Sequence, residues 1–184
     1  MSSRRTARIV DFQRCQGRLG DNCNMRLEKP EHRGLSIEWQ WCDLADLSPR
    51  ALYEICAARE AVFVVEQNCA YMDLDGRDVD AHHLIGWSGS QVAAYLRVLP
   101  PGVRFAERSI GRVMTAASFR SQGLGRRLMQ VALERLDREY PGEALRISAQ
   151  AHLESFYAEL GFVRASDLYM EDQIPHIEML RIAS

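Results

Sequence analysis

The chain predicts a three-layer α/β domain whose mixed, mostly antiparallel sheet is flanked by helices. Three observations carry this. Strand-length segments are interrupted by helical periodicity in the order β-α-β-β-β-α-β-α-β-β. Residues 83–87 and 92–99 are joined by the turn Ser88-Gly89-Ser90, which makes them an antiparallel hairpin. Residues 109–115 run into a loop with two glycines that opens into the longest amphipathic stretch of the chain.

Taken in order, residues 1–34 mix Arg, Gln, Asn, Gly and Glu without sustained periodicity, which predicts a flexible N-terminal extension. Met25 offers an alternative start that would leave the preceding residues untranslated. The domain is expected over residues 35–184. Residues 36–41 alternate polar and apolar, as a half-buried strand does. Ser48 and Pro49 read as N-cap and first helical position, and Leu52, Ile55, Cys56, Arg59, Val62 and Phe63 continue a helix to about residue 64. An Asp-rich loop covers residues 68–81. After the hairpin, Pro100-Pro101-Gly102 breaks the chain. Leu124, Leu128, Ala132 and Leu136 mark the apolar face of the main helix, which Pro141-Gly142 ends. Residues 145–149 are a short strand, 152–160 a further helix stopped by Gly161, and strand character returns from Phe162 to residues 177–182.

With 184 residues and a formal net charge of -2, the chain fits one globular domain and gives no reason to expect a nucleic-acid or membrane partner. Its five cysteines form no C-x-x-C pair, and no apolar run is long enough for a signal peptide or a membrane span, so a cytoplasmic location is expected.

The chemistry concentrates in Ile110-Gly111-Arg112-Val113-Met114-Thr115 and Arg120-Ser121-Gln122-Gly123-Leu124-Gly125-Arg126-Arg127. N–H groups at a helix start lack intrahelical partners and lie at the positive end of the dipole, an arrangement that binds phosphates. Gly123 and Gly125 let a pyrophosphate approach the main chain. Neither G-x-x-x-x-G-K-[ST] nor G-x-G-x-x-G after a strand is present.

R-x-x-G-x-G after such a strand resembles motif A of the GNAT N-acetyltransferases, and residues 149–162, with Tyr157 ahead of Gly161-Phe162, resemble motif B. The segments Arg59-Glu60-Ala61-Val62-Phe63-Val64-Val65-Glu66-Gln67, Asp73-Leu74-Asp75-Gly76 and Ile174-Pro175-His176-Ile177 are similar to the ElaA-type branch of that family. The resemblance spans about residues 35–184 and implies the GNAT fold. It also implies acetyl-coenzyme A as cosubstrate, an amine acceptor, and direct attack of the amine on the thioester in a ternary complex. On the matching positions it implies cofactor contacts from Val113, Met114, Thr115, Arg120, Ser121, Gln122, Gly123, Leu124, Gly125, Arg126, Arg127 and Gln150. Gln150 departs from the family's usual Asn. The oxyanion donor falls on the backbone of Val113 or its neighbours Arg112 and Met114, and the general acid on Tyr157.

Glu66, Asp75, His83, His152 and His176 are each chemically able to deprotonate the incoming ammonium, and the sequence does not choose among them. His152 lies about 140° round a helix from Tyr157, so the two do not share a face. Asp73, Asp75, Asp78 and Asp80 do not form a calcium loop: with Gly76 at the sixth position, Tyr71 falls at the first and His82 at the twelfth. His82 and His83, as strand neighbours, point apart and cannot share a metal, so no metal site is expected. The acidic loop then reads either as a solvated loop or as a wall that attracts a cationic acceptor. Two other functions remain open: a coenzyme A-binding sensor or scaffold without activity, and an acyl-homoserine lactone synthase, which the stretch from Arg59 to Glu66 also resembles. The intact glycine loop and Tyr157 favour the transferase.

Overall fold

The computed structural model describes residues 36–182; the expected N-terminal extension lies outside them. Eight strands form one sheet: β1 (Glu38–Asp43), β2 (His82–Ser88), β3 (Gln91–Leu99), β4 (Arg108–Thr115), β5 (Ala144–Gln150), β6 (Val163–Arg164), β7 (Tyr169–Glu171) and β8 (Ile174–Ile182). The order is β1-β2-β3-β4-β5-β8-β6, with β7 also paired to β8. Every pairing is antiparallel except β4 with β5.

The helices are α1 (Pro49–Arg59), α2 (Leu124–Glu139) and α3 (Glu154–Ala158). They cover both faces of the sheet. Neighbouring strand residues point to opposite sides, and this divides the core in two. Leu84, Leu96, Ile110, Ile147 and Ala149 pack with Leu128, Met129, Ala132 and Leu136 of α2 and with Tyr157 of α3. Ile85, Tyr95 and Met114 pack on the other side with Ile55 of α1 and with Val62. Covered on both faces, β3 is buried almost throughout.

Ser48 caps α1 as expected, its hydroxyl accepting from the Ala51 N–H at 3.1 Å, with Pro49 following. The helix does not run on regularly to residue 64, however. After Arg59 it widens into a π-helical segment, Glu60–Glu66. The 152–160 helix is also modified. A 3-10 turn, Ala151–Leu153, precedes the short α3, and the stop is a Schellman motif. The Phe162 N–H donates to the Tyr157 carbonyl at 3.1 Å and the Gly161 N–H to that of Ala158 at 3.0 Å. This turn returns Phe162 to the core immediately after α3.

Candidate active site

The site begins with a parallel pairing that stops early. β4 and β5 are in register only at Arg108 with Leu145 and Ser109 with Arg146. Beyond these residues the strands part, although both continue, to Thr115 and Gln150. A bulge on the other edge of β4 accompanies the parting. Arg97 faces Gly111 and Tyr95 faces Met114, so Arg112 and Val113 together oppose Leu96. Arg112 takes the left-handed φ of 54° that this bulge requires. The gap opens into a cleft of about 900 Å³ lined by Gly111, Val113, Thr115, Ile147, Ala149 and Tyr157, among others. Past Ser109, the β5-side edge of β4 has no strand partner among the described residues, leaving backbone polar groups free to face this cleft.

At one end of the cleft α2 starts. Gly123 has φ of 72° and nothing within 4 Å of where a Cβ would stand. The first intrahelical bond is Arg127 N–H to Gly123 O, 3.1 Å. The N–H groups of Leu124, Gly125 and Arg126 have no partner among the described residues and form the donor cluster expected of a phosphate cradle. A smaller hollow lined by Thr115, Ser121, Gly123, Gly125 and Phe156 lies over them. A Cβ on Gly125 would meet Thr115 Oγ1 at 3.4 Å, an ordinary contact, so α2 starts close against the end of β4.

The structure revises the part several predicted contacts can take. Arg127 is exposed and its N–H is engaged, so it is not a backbone donor to this site. Leu124 and Met114 are buried in the two cores, leaving only their main chains available. Arg120 donates to the Thr115 carbonyl at 3.0 Å and pairs with Glu66 through two bonds of 2.7 and 2.9 Å, tying the glycine loop to the π-helical segment. Arg126 pairs with Glu159. Ser121 and Gln122 are exposed beside the hollow. Gln150 lines the cleft but donates to Gln67 Oε1 at 3.3 Å.

Tyr157 belongs to the α2 side of the sheet. Its ring meets those of Phe156 and Phe162 edge-on at centroid distances of 5.0 and 6.0 Å. Its hydroxyl has no hydrogen-bond partner among the described residues, and burial pushes its pKa up to about 12. It is a neutral phenol with a free proton at the cleft wall.

The five candidate bases separate cleanly. Glu66 is held by Arg120, which lowers its pKa. Asp75 is gripped by Arg97 at 2.5 and 2.7 Å; burial works against its charge, but these bonds hold the carboxyl well below the usual range. His83 is 1% exposed with both nitrogens engaged, by Tyr95 Oη at 2.7 Å and the Asp78 carbonyl at 3.0 Å, and burial lowers its pKa. His152 is exposed and also lines the cleft, but it stands in the 3-10 turn before α3 rather than on the helix of Tyr157, so the helical spacing between them does not apply. His176 lines the cleft, and only its Nδ1 is engaged, by the Ile174 carbonyl at 2.9 Å.

In the acidic loop the carboxylates of Asp73, Asp75 and Asp78 are engaged by arginines, whereas Asp80 is exposed. Asp73 accepts from Arg59 Nε at 2.8 Å and from Arg112 Nε at 2.6 Å, while Asp78 accepts from Arg59 at 2.7 Å and Arg97 at 3.1 Å. Arg59 and Arg97 are each 1% exposed. Buried guanidinium groups need such partners, which accounts for three of the four aspartates. A further group was not foreseen. Arg104 donates to both carboxylate oxygens of Glu171 at 2.9 and 3.1 Å, and Ser148 Oγ donates to Glu171 at 2.8 Å while lying 2.6 Å from Tyr169 Oη. Burial would raise the Glu171 pKa, but Ser148 and Arg104 hold it below the ordinary value.

Residues 45–182 match the family model described as an acetyltransferase (GNAT) domain. The chain belongs to the GNAT family. Within that family it is of the ElaA type: it is 41% identical to protein ElaA of Escherichia coli over 147 residues, which is 79% of this chain and 96% of that one. The crystal structure of E. coli ElaA superposes with a TM-score of 0.75 over 79% of this chain and 99% of that one, at 40% identity. An acyl-CoA N-acyltransferase from Pseudomonas aeruginosa gives 0.76 over the same shares, at 43% identity. The acyl-homoserine lactone synthase LasI is similar in fold alone, with a TM-score of 0.69 at 12% identity over 82% of this chain and 92% of that one.

The segment resembling motif A falls on β4, the glycine loop and the start of α2, and the one resembling motif B on the end of β5, the 3-10 turn and α3. The sequence located both. It missed Glu171, Tyr169, Ser148 and Arg104, which have no common motif: the first three meet because β7 folds back on β8 next to β5, and Arg104 joins them from the segment between β3 and β4.

Proposed function

We propose that this GNAT protein transfers an acetyl group from acetyl-coenzyme A to an amine by direct attack in a ternary complex. One observation carries the reading: the cleft between β4 and β5 is lined by both Gly125 and Tyr157 and shares Thr115, Gly125 and Phe156 with the hollow at the start of α2, where the N–H groups of Leu124, Gly125 and Arg126 have no partner among the described residues. The open space at Gly123 and these donors fit a pyrophosphate. The acyl chain then extends along β4, where the freed main chain near Val113 can stabilise the oxyanion. The amine nitrogen bonds to the thioester carbon, the C–S bond breaks, and Tyr157 gives its proton to the departing thiolate. The amine's proton leaves to a base, so the products are an amide and free thiol. The acetyl group, the cytoplasmic location and the independence of residues 35–184 from the first 34 belong to the same proposal. Supporting the last of these, β1 begins at Glu38 and the family match at residue 45.

Calorimetry with acetyl-coenzyme A, then thiol release with a lysine-bearing peptide, spermidine and benzylamine, tests this reading. Binding with thiol release supports a transferase. Binding without thiol release supports the sensor or scaffold reading, and absence of binding ends both.

A further inference from the structure

His176 stands in the Ile174-Pro175-His176-Ile177 segment, which motif A and motif B leave unexplained. We infer that His176 is the general base that takes the proton from the acceptor amine, an inference that rests on the transferase reading above. The tautomer carries the first part. Nδ1 lies 2.9 Å from the Ile174 carbonyl, which can only accept. In the neutral ring the hydrogen is therefore on Nδ1, and the lone pair is on Nε2, which has no partner among the described residues.

Position carries the second. In the β5–β8 ladder His176 faces Gln150, so it shares the sheet face of Gln150 and Ser148. Ile147 and Ala149 point to the opposite face, where Tyr157 packs. His176 and Tyr157 thus approach one cleft from the two sides of the sheet. An acid and a base so placed can serve the leaving thiolate and the attacking nitrogen from opposite directions without protonating each other.

Support for the ring carries the third. His176 stacks on Tyr169 at a centroid distance of 6.1 Å and an interplanar angle of 29°. The Tyr169 hydroxyl lies 2.6 Å from Ser148 Oγ, which donates to Glu171, itself held by Arg104. This chain fixes the imidazole plane and sets the Glu171 carboxylate in the same cleft. In the step, Nε2 takes one proton from the attacking nitrogen while that nitrogen bonds to the thioester carbon. Solvent later removes the proton.

The test uses the full chain with acetyl-coenzyme A and, as acceptors, spermidine, benzylamine and a lysine-bearing peptide. His176→Ala should lower kcat by about 10²–10⁴-fold, leave acetyl-coenzyme A affinity by calorimetry unchanged, and regain turnover when imidazole is added. Turnover within about twofold of wild type overturns the assignment, and so does a loss that imidazole does not restore, which marks a structural ring. A wild-type protein that releases no thiol overturns the transferase reading and this one together; only the first two outcomes strike His176 alone.

Discussion

Asp73 holds Arg112 in a backbone conformation that Arg112 would not choose. The Arg112 side chain donates to the Asp73 carboxylate at 2.6 Å and to its carbonyl at 3.1 Å, while φ at Arg112 is 54°. A left-handed arginine costs about 1–2 kcal/mol. The bulge that β4 needs to part from β5 is therefore secured from a loop 39 positions earlier in the chain. Arg59 takes the other Asp73 oxygen at 2.8 Å.

Removing Asp73 should accordingly be costly. Asp73→Ala strips a carboxylate from the buried Arg59, and breaking a buried pair in this way typically costs about 3–5 kcal/mol. By contrast Glu159→Ala, which breaks an exposed pair with Arg126, should cost no more than about 1 kcal/mol. Urea denaturation of the two variants checks the difference, and equal midpoints would contradict the network's role.

The same network makes stability depend on acid. Burial pushes down the pKa of His83, and despite burial the arginines lower those of Asp75 and Asp78. Each group binds its proton more weakly in the folded state, so stability falls wherever the unfolded chain takes protons first. His83 contributes from about pH 6.5 downwards and the aspartates from about pH 4, their unfolded values. The urea midpoint should decline in both windows as pH is lowered, and His83→Gln should flatten the upper one. A midpoint that does not move between pH 7 and 3 would sink this account.

The first 34 residues should be dispensable. A chain beginning at Leu35 retains every residue of β1 and of the GNAT match. Its thermal unfolding and its affinity for acetyl-coenzyme A should equal those of the full chain, and a loss of either would assign the missing stretch a part in the domain.

Where the sequence was legible, a local signal existed. Ser48-Pro49 announced α1, Leu124 to Leu136 gave the apolar face of α2, and Gly161 marked the Schellman stop. Two features lacked such signals. β6 and β7 span two and three residues, too short for a period of two to register. The β7–β8 turn uses Asp172 and Gln173 at φ of 50° and 67°, where Asn-Gly would have advertised it. Nor could spacing alone reveal that Asp73 and Asp78 answer buried arginines, because those pairs form only once the loop meets the end of α1 and the strands β3 and β4.

The glycine loop gives a sharper test of the cofactor site. Gly123 has a positive φ and open space beside it, so a side chain there would strain the backbone and intrude where a pyrophosphate would sit. Gly123→Val should weaken acetyl-coenzyme A binding at least tenfold, about 1.4 kcal/mol. Calorimetry on variant that circular dichroism shows to be folded decides it, and unchanged affinity would remove the phosphate cradle from this loop.

Tyr157 is the residue on which the proposed chemistry turns. Its phenol is neutral, with a pKa of about 12, and its hydroxyl has no partner among the described residues. The ring is fixed by Phe156 and Phe162. Tyr157→Phe keeps that packing and deletes only the hydroxyl, so unfolding temperature and cofactor affinity should barely change. Turnover should fall by about 10²–10⁴-fold, the usual worth of one positioned acid. Because the proton is required as the thiolate leaves, the loss should appear in kcat and leave KM nearly unaltered. A purely structural tyrosine predicts the reverse, a lower unfolding temperature with near-normal turnover in the cold. Kinetics with a working amine, set beside the melting curve, separate these outcomes. Full turnover in Tyr157→Phe would leave the thiolate to be protonated by solvent and would remove the acid from the mechanism, while the GNAT assignment would stand.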